Sequence, residues 1–245
     1  MKPIEYPALT PYAERYAEVP GASLEVRLSL RPGGRIAAYD PPNLDNILAW
    51  AVVMEATGGA GPPHEAQGGY LLPLPLRALW RDPEGYPLWA VTPLAPEGMS
   101  VEDVAILHKR AQSGEWTGTK SGKLRLNTSA GRWMERRIPQ PVIICDEWIC
   151  RCQGDAEEIA RLLQSVAWVG KRRHAGFGEV ERWRVAPAPA FSLVEGGRLT
   201  RSVPVGAAEL LPRMPGTPPS PAVAWACPQW KPSLWRPGWR VGEVA

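Results

Sequence analysis

The chain has 245 residues, 44% of them hydrophobic, which gives it enough apolar material for one large domain or two small ones and excludes disorder throughout. Its formal net charge of +3 hides an uneven distribution: residues 108 to 137 carry eight Lys/Arg against two acids and residues 169 to 184 five against two, so the remainder is net negative. No stretch approaches the ~20 apolar residues of a membrane span and the N-terminal "MKPIEYPALTPYAERYAEVP" lacks a signal-peptide core, so a cytoplasmic protein with no membrane partner is expected.

In chain order, "ASLEVRLSL" alternates Leu24, Val26, Leu28 and Leu30 with Glu25, Arg27 and Ser29, the period of a half-buried strand, and "RPGGR" follows as a turn. Asn43 is placed to cap a helix in which Leu44, Ile47, Leu48, Ala51 and Met54 share a face and which Gly58 and Gly59 end. Residues 58 to 69 read as a loop. "YLLPLPLRALW" is interrupted by Pro73 and Pro75, so it is expected to be an irregular or edge strand, pairing with "YPLWAVTPL" across the "RDPEG" turn.

From "VEDVAILHKR" to "GRWMERR" the hydrophobic rhythm fades, and a mobile basic excursion is expected. Strand-like "IPQPVIICDEWICRCQ" follows, with Asp146 and Glu147 at a turn. In "DAEEIARLLQSVAWVG", Asp155 is the N-cap, Glu158 completes a capping box, and Ile159, Leu162, Leu163, Val166 and Val169 form one stripe up to Gly170. "EVERWRV" is the last core strand, and "VEGGRLTRSVPVG" is a hairpin in a Pro-rich tail expected to wrap the core.

The order strand, helix, strand, strand, helix, strand implies an α+β fold of ferredoxin-like, RRM-like βαββαβ type, whose open sheet face is a platform for RNA. The organisation expected is a core over residues 1 to 190 with a basic insertion around 100 to 137, then a C-terminal hairpin and Pro/Trp-rich extension over 191 to 245 packing on it.

Polyanion binding is the chemistry the two basic windows suit. In "GKRRHAGFG" the backbone amides of Gly170, Gly176 and Gly178 can approach phosphates, with Lys171, Arg172 and Arg173 supplying charge, Phe177 a stacking surface and His174 a further contact. Placed after a helix C-terminus, whose dipole repels anions, and lacking a Lys-Ser/Thr ending, the loop is not a nucleotide-triphosphate cradle. Lys109, Arg110, Lys120, Lys123, Arg125, Arg132, Arg136 and Arg137 interleave with Trp116 and Trp133 to extend the footprint.

The histidines are His64, His108 and His174; His174 is the candidate general base towards a ribose 2′-hydroxyl and His108 the lesser one, but neither has a visible acid-base partner, so no catalytic residue is assigned. No pair among Cys145, Cys150, Cys152 and Cys227 has the two-residue gap of a zinc or redox motif, so buried thiols are expected, with Cys150 and Cys152 on one strand face. Asp40, Asp45 and Asp82 read as cap and turn residues, and neither a metal nor a cofactor is expected.

The stretch "LQSVAWVGKRRHAGFGEVERWRVAP" resembles the glycine-rich loop signature of the RAMP superfamily, the RNA-binding subunits of CRISPR effector complexes. Together with "NLDNILAWAVV", "YLLPLPLRALW" and "VEGGRLTRSVPV" in order, residues 22 to 205 resemble the third Csf subunit family of type IV CRISPR systems, the counterpart of Cas family five. That resemblance implies a non-catalytic antiviral or antiplasmid subunit that holds the five-prime handle of the CRISPR RNA through the loop at 170 to 178. Its partners would be Cas family-seven-like backbone subunits and a large subunit, with target DNA met indirectly, and the insertion at 108 to 137 would be a thumb-like projection. The alternative is a metal-independent endoribonuclease like Cas family six, with His174 as general base.

Overall fold

In the computed structural model of the chain, the described residues are 6 to 37, 41 to 61, 71 to 109, 136 to 229 and 232 to 244. Among the described residues, three α-helices, α1 Thr10–Arg15, α2 Leu44–Ala56 and α3 Ala156–Leu163, accompany fourteen strands. The strands are β1 Ala22–Leu30, β2 Arg35–Ala37, β3 Ala78–Arg81, β4 Pro87–Trp89, β5 Ala95–Pro96, β6 Val101–Lys109, β7 Arg136–Ile144, β8 Glu147–Gly154, β9 Val180–Pro187, β10 Val194–Glu195, β11 Arg198–Leu199, β12 Val203–Pro204, β13 Ser220–Val223 and β14 Arg236–Trp239. The fold is α+β with antiparallel sheets.

The central sheet has the order β5-β8-β1-β9, every pairing antiparallel. β1 is its organising strand: Leu24, Val26 and Leu28 point into the core opposite Cys152, Cys150 and Trp148 of β8, and Leu28 lies opposite Trp183 of β9. Leu44, Leu48 and Val52 of α2 and Ile159, Leu162 and Leu163 of α3 complete this core, so both helices cover the same sheet face. Cys150 and Cys152 share that face, and all four cysteines are free and buried. Burial pushes the Cys152 thiol up to about 12.

On the other sheet face, Glu25, Arg27 and Ser29 meet Arg151, Ile149 and Glu147 of β8, and Arg182 and Arg184 of β9 lie across from Ser29 and Arg27. Arg27 is ion-paired with Glu25 at 2.7 Å and with Glu97, and Arg151 reaches Glu195 of β10 at 2.7 Å. No aromatic ring stands at these paired positions, so the face offers paired charge rather than the stacking surface expected of an RNA platform.

β6 and β7 form a nine-residue antiparallel ribbon from Val101↔Ile144 to Lys109↔Arg136, and β2 pairs along the inner part of β7. The stretch 101 to 109, expected as a basic excursion without rhythm, is therefore a regular strand. Its pattern faded because both ribbon faces are apolar: Ala105 and Leu107 pack on Val142 and Phe177, while Val104 and Ile106 on the other face are exposed.

Several expected helix features differ. α3 ends at Leu163, not Gly170, because Trp168 and Val169 leave the helix to pair with Glu179 and Gly178: Val169 N–H donates to Gly178 O at 2.8 Å. Asp155 does cap it, accepting from the amides of Glu157 and Glu158, but the Glu158 carboxylate joins Arg15, Tyr16 and Arg161 instead of closing a capping box. Asn43 occupies the N-cap of α2 without a side-chain cap bond.

The described residues from 191 to 229 and 232 to 244 build a second core with β3 and β4. Val203, Leu211, Val223, Trp225 and Trp239 enclose Tyr86 and Leu88, and Trp80 meets Trp225 edge-on at 5.5 Å between ring centroids. Where the two cores meet, Arg201 is 3% exposed and donates to Asp45 of α2 at 3.0 Å and to the carbonyls of Trp89, Val91 and Trp225. Asp45, expected as a cap residue, is thus the buried half of an ion pair. Asp82 does hold the β3-β4 turn, accepting from the amides of Glu84 and Tyr86, and Asp40 lies outside the described residues. Among the described residues, no helix is long and apolar enough to cross a membrane and no cluster of His, Cys, Asp and Glu could hold a metal ion.

Candidate nucleic-acid interface

The basic loop is an ordered bridge between the central sheet and the β6-β7 ribbon. Its feet are tied twice: Val169 pairs with Gly178, and Val180 N–H donates to Ala167 O at 2.9 Å. It is also stitched to β2, since Lys171 N–H donates to Ala37 O at 3.1 Å and Gly178 N–H to Arg35 O at 2.8 Å. Because α3 stops seven residues earlier, the loop does not sit on a helix C-terminus, and the dipole argument against anion binding there no longer applies.

Between these ties the chain turns tightly. Gly170, Gly176 and Gly178 all have positive φ, as does Arg172 at φ 59°, and a 3-10 turn spans Arg173–Ala175. A non-glycine residue held in the left-handed region costs about 1 kcal/mol. The result exposes Lys171, Arg172, Arg173 and His174 together.

Phe177 is a correction to the sequence reading. It is 2% exposed, packed between Ala37 and Val142, with the Arg35 guanidinium 4.8 Å from its ring centroid. A side chain buried by a strand ribbon cannot stack on a base; Phe177 anchors the loop so that its basic residues face out.

Lys171, Arg172, Arg173 and His174 form one wall of an open groove of about 790 Å³, and Ile138, Pro139 and Gln140 of β7 form the other. Arg172 Nε reaches Gln140 Oε1 at 3.5 Å. Arg137 and Arg136 stand at the next positions out along β7, with His108 opposite Arg137. The ribbon therefore carries part of the second basic window to the rim of the loop. Of that window, Lys109 lies in β6, while Arg110, Lys120, Lys123, Arg125 and Arg132, together with Trp116 and Trp133, lie outside the described residues, as does His64.

A second groove, about 650 Å³, lies on the other side of the loop and shares Gly170, Lys171 and Arg173 with the first. Asn43 at the N-cap of α2, Asn46 and Trp50 within that helix, Trp168, and Gln229 and Trp235 of the C-terminal region line it. The sequence reading missed this cluster because its members lie up to 192 positions apart and no local spacing links them. The one available signal was the concentration of tryptophan in the tail. No protein-family model matches the chain, and no curated protein matches it.

Proposed function

We propose that the protein is a non-catalytic RNA-binding subunit that holds single-stranded RNA along the groove between the basic loop and β7. Taken with the resemblance of residues 22 to 205 to the third Csf subunit family, the RNA is the five-prime handle of a CRISPR RNA, and the partners are the backbone and large subunits of a type IV effector complex acting in the cytoplasm. The arrangement of the central sheet supports this reading and fits a ferredoxin-like core. Counting β1, β5, β8 and β9 as its four strands and α2 and α3 as its helices, the sheet order is fourth, first, third, second, with both helices on one face. The β6-β7 ribbon, inserted between the second and third of those strands, is the thumb-like projection.

The observation that carries the reading is the exposure of four consecutive residues, Lys171 to His174, on one groove wall, by a loop whose glycines and Phe177 are committed to holding it in place. Phosphates are met by such cations without regard to sequence, and the expected signature is salt dependence. Replacing Lys171, Arg172 and Arg173 together by Ala should weaken binding of a fluorescein-labelled single-stranded repeat RNA. It should also flatten the slope of log K against log salt by roughly 2 for three lost phosphate contacts. Unchanged affinity and slope would overturn the assignment. In the same samples, metal-free cleavage of repeat RNA that is lost in His174→Ala would replace it by the endoribonuclease alternative.

A further inference from the structure

We infer that the second groove, between the α2 N-terminus, Trp168 and the C-terminal region, is a nucleobase pocket that takes one unstacked base from the RNA held by the basic loop. This rests on the RNA-binding reading and adds base selection to it.

Three features of the groove point to a base. Trp50, Trp168 and Trp235 supply flat aromatic surface, which every nucleobase can stack on. Three carboxamides stand among them, the side chains that pair with base edges through a donor and an acceptor at once. Their hydrogen bonds to one another leave both kinds of group available. Gln229 Oε1 accepts from Asn43 Nδ2 and from Asn46 Nδ2 at 3.2 Å, and Asn46 Oδ1 accepts from Gln229 N–H at 3.2 Å. Among the described residues neither Gln229 Nε2 nor Asn43 Oδ1 has a hydrogen-bond partner, so one can donate and the other accept. Asn43 takes up this arrangement in place of capping α2, a position where a side-chain cap is worth ~1 kcal/mol.

The third feature is the neighbour. Lys171 and Arg173 line both grooves, so a strand with its phosphates on the loop has a base within reach of the amides on the far side. Arg173 lies 5.5 Å from the Trp50 ring centroid, which ties the phosphate-binding wall to the stacking wall. At about 650 Å³ the groove falls within the ~300–1,000 Å³ typical of small-ligand sites. It also gives the C-terminal extension a role that the basic loop does not need, since Gln229 and Trp235 both come from it and Trp235 Nε1 donates to Gln229 O at 2.8 Å.

Fluorescence anisotropy with labelled decamers of adenylate, uridylate and cytidylate tests this on the full chain. The wild type should prefer one homopolymer by about tenfold, and Trp235→Ala and, separately, Gln229→Ala should reduce that preference towards parity. Trp235 is 41% exposed, so its removal leaves the cores intact, and Gln229→Ala keeps every ring, which gives two independent variants. Equal binding of the three decamers by the wild type, or a preference that survives both substitutions, overturns the pocket and leaves phosphate binding standing. No binding of any decamer overturns the RNA reading itself, and the pocket with it.

Discussion

At Gly178 there is no room for a side chain: a Cβ built there would lie 1.9 Å from the carbonyl oxygen of Val169, and φ is +72°. The close approach is what lets Val169 and Gly178 pair and closes the foot of the basic loop. Gly176 has a similar φ, +81°, but a Cβ there meets nothing within 4 Å. The two substitutions are therefore expected to differ sharply. Gly176→Ala should cost about 1 kcal/mol, the left-handed backbone penalty alone. Gly178→Ala should cost at least ~2 kcal/mol more, because backbone on both sides has to move. Thermal unfolding of the two variants checks this, and equal losses would mean that the loop's foot does not depend on that contact. Arg172 is the counterpart on the outer arc, a long cationic side chain kept at φ 59° where glycine would be more comfortable. Its side chain is exposed on the groove wall, where Nε reaches Gln140 Oε1 at 3.5 Å.

At the scale of elements, α1, α2 and α3 are joined by one polar cluster. The Glu158 carboxylate of α3 accepts from Arg161 and Arg15 and from the Tyr16 hydroxyl, while Arg161 also binds Glu55 of α2 at 2.7 Å. The hydrogen bond from Arg161 outweighs the opposing effect of burial and lowers the Glu158 carboxyl from its ordinary 4.5 to about 2. A folded-state value below the unfolded one means that the stabilisation is complete above about pH 4.5 and is lost as pH falls through about 2. Wild-type stability should therefore decline across that window in a chemical-denaturation series, and Glu158→Gln should be less stable at pH 7 with a shallower acid decline. A parallel decline in the variant would assign the acid loss to other carboxylates. The sequence announced Glu158 but not this cluster, because Arg15 ends the short helix at 10 to 15 and Tyr16 follows it, and that helix has no amphipathic stripe to read. Legibility followed local determinacy. β1 was readable to the residue because one of its faces is buried and the other is polar along most of its length, and the β3-β4 and β10-β11 hairpins because Asp82 and Gly196-Gly197 mark their turns. α3 was read too long because Val166 and Val169 continue its spacing and bury in the same core after the helix has ended. The loop's basic residues were legible as charge, whereas Phe177 was misread because only the β6-β7 ribbon, pairing residues 27 to 43 positions apart, reveals what covers it.

On the scale of the whole molecule, the C-terminal region is held to the rest through a charge. Arg201 and Asp45 are almost wholly enclosed, at 3% and 0% exposure, and the two terminal nitrogens of the guanidinium donate to Asp45 and to three backbone carbonyls from β4, the residues just after it, and the second core. Such a pair adds little over a well-packed apolar substitute, since desolvation of two ions offsets most of their attraction, but removing one member leaves a buried, uncompensated charge. Arg201→Met keeps the length and loses the charge, so Asp45 is stranded in the core, at an expected cost of about 3–5 kcal/mol. In a chain of this size that corresponds to a Tm lower by about 10 °C. Adding Asp45→Asn removes the stranded charge and should recover part of the loss, so the double variant should be more stable than Arg201→Met alone. A purely steric role for Arg201 predicts the opposite, additive losses, and thermal unfolding of the two single variants and the double variant decides between them. The consequence reaches the candidate interface, because Asp45 sits between Asn43 and Asn46 in the first turn of α2 and the backbone oxygen of Asp45 accepts from Cys227, two residues before Gln229. The ion pair thus fixes the position of the amide cluster from both sides. At a temperature where Arg201→Met is still folded, discrimination among the three homopolymers should fall before phosphate binding does, since the basic loop is held independently by β2 and Phe177.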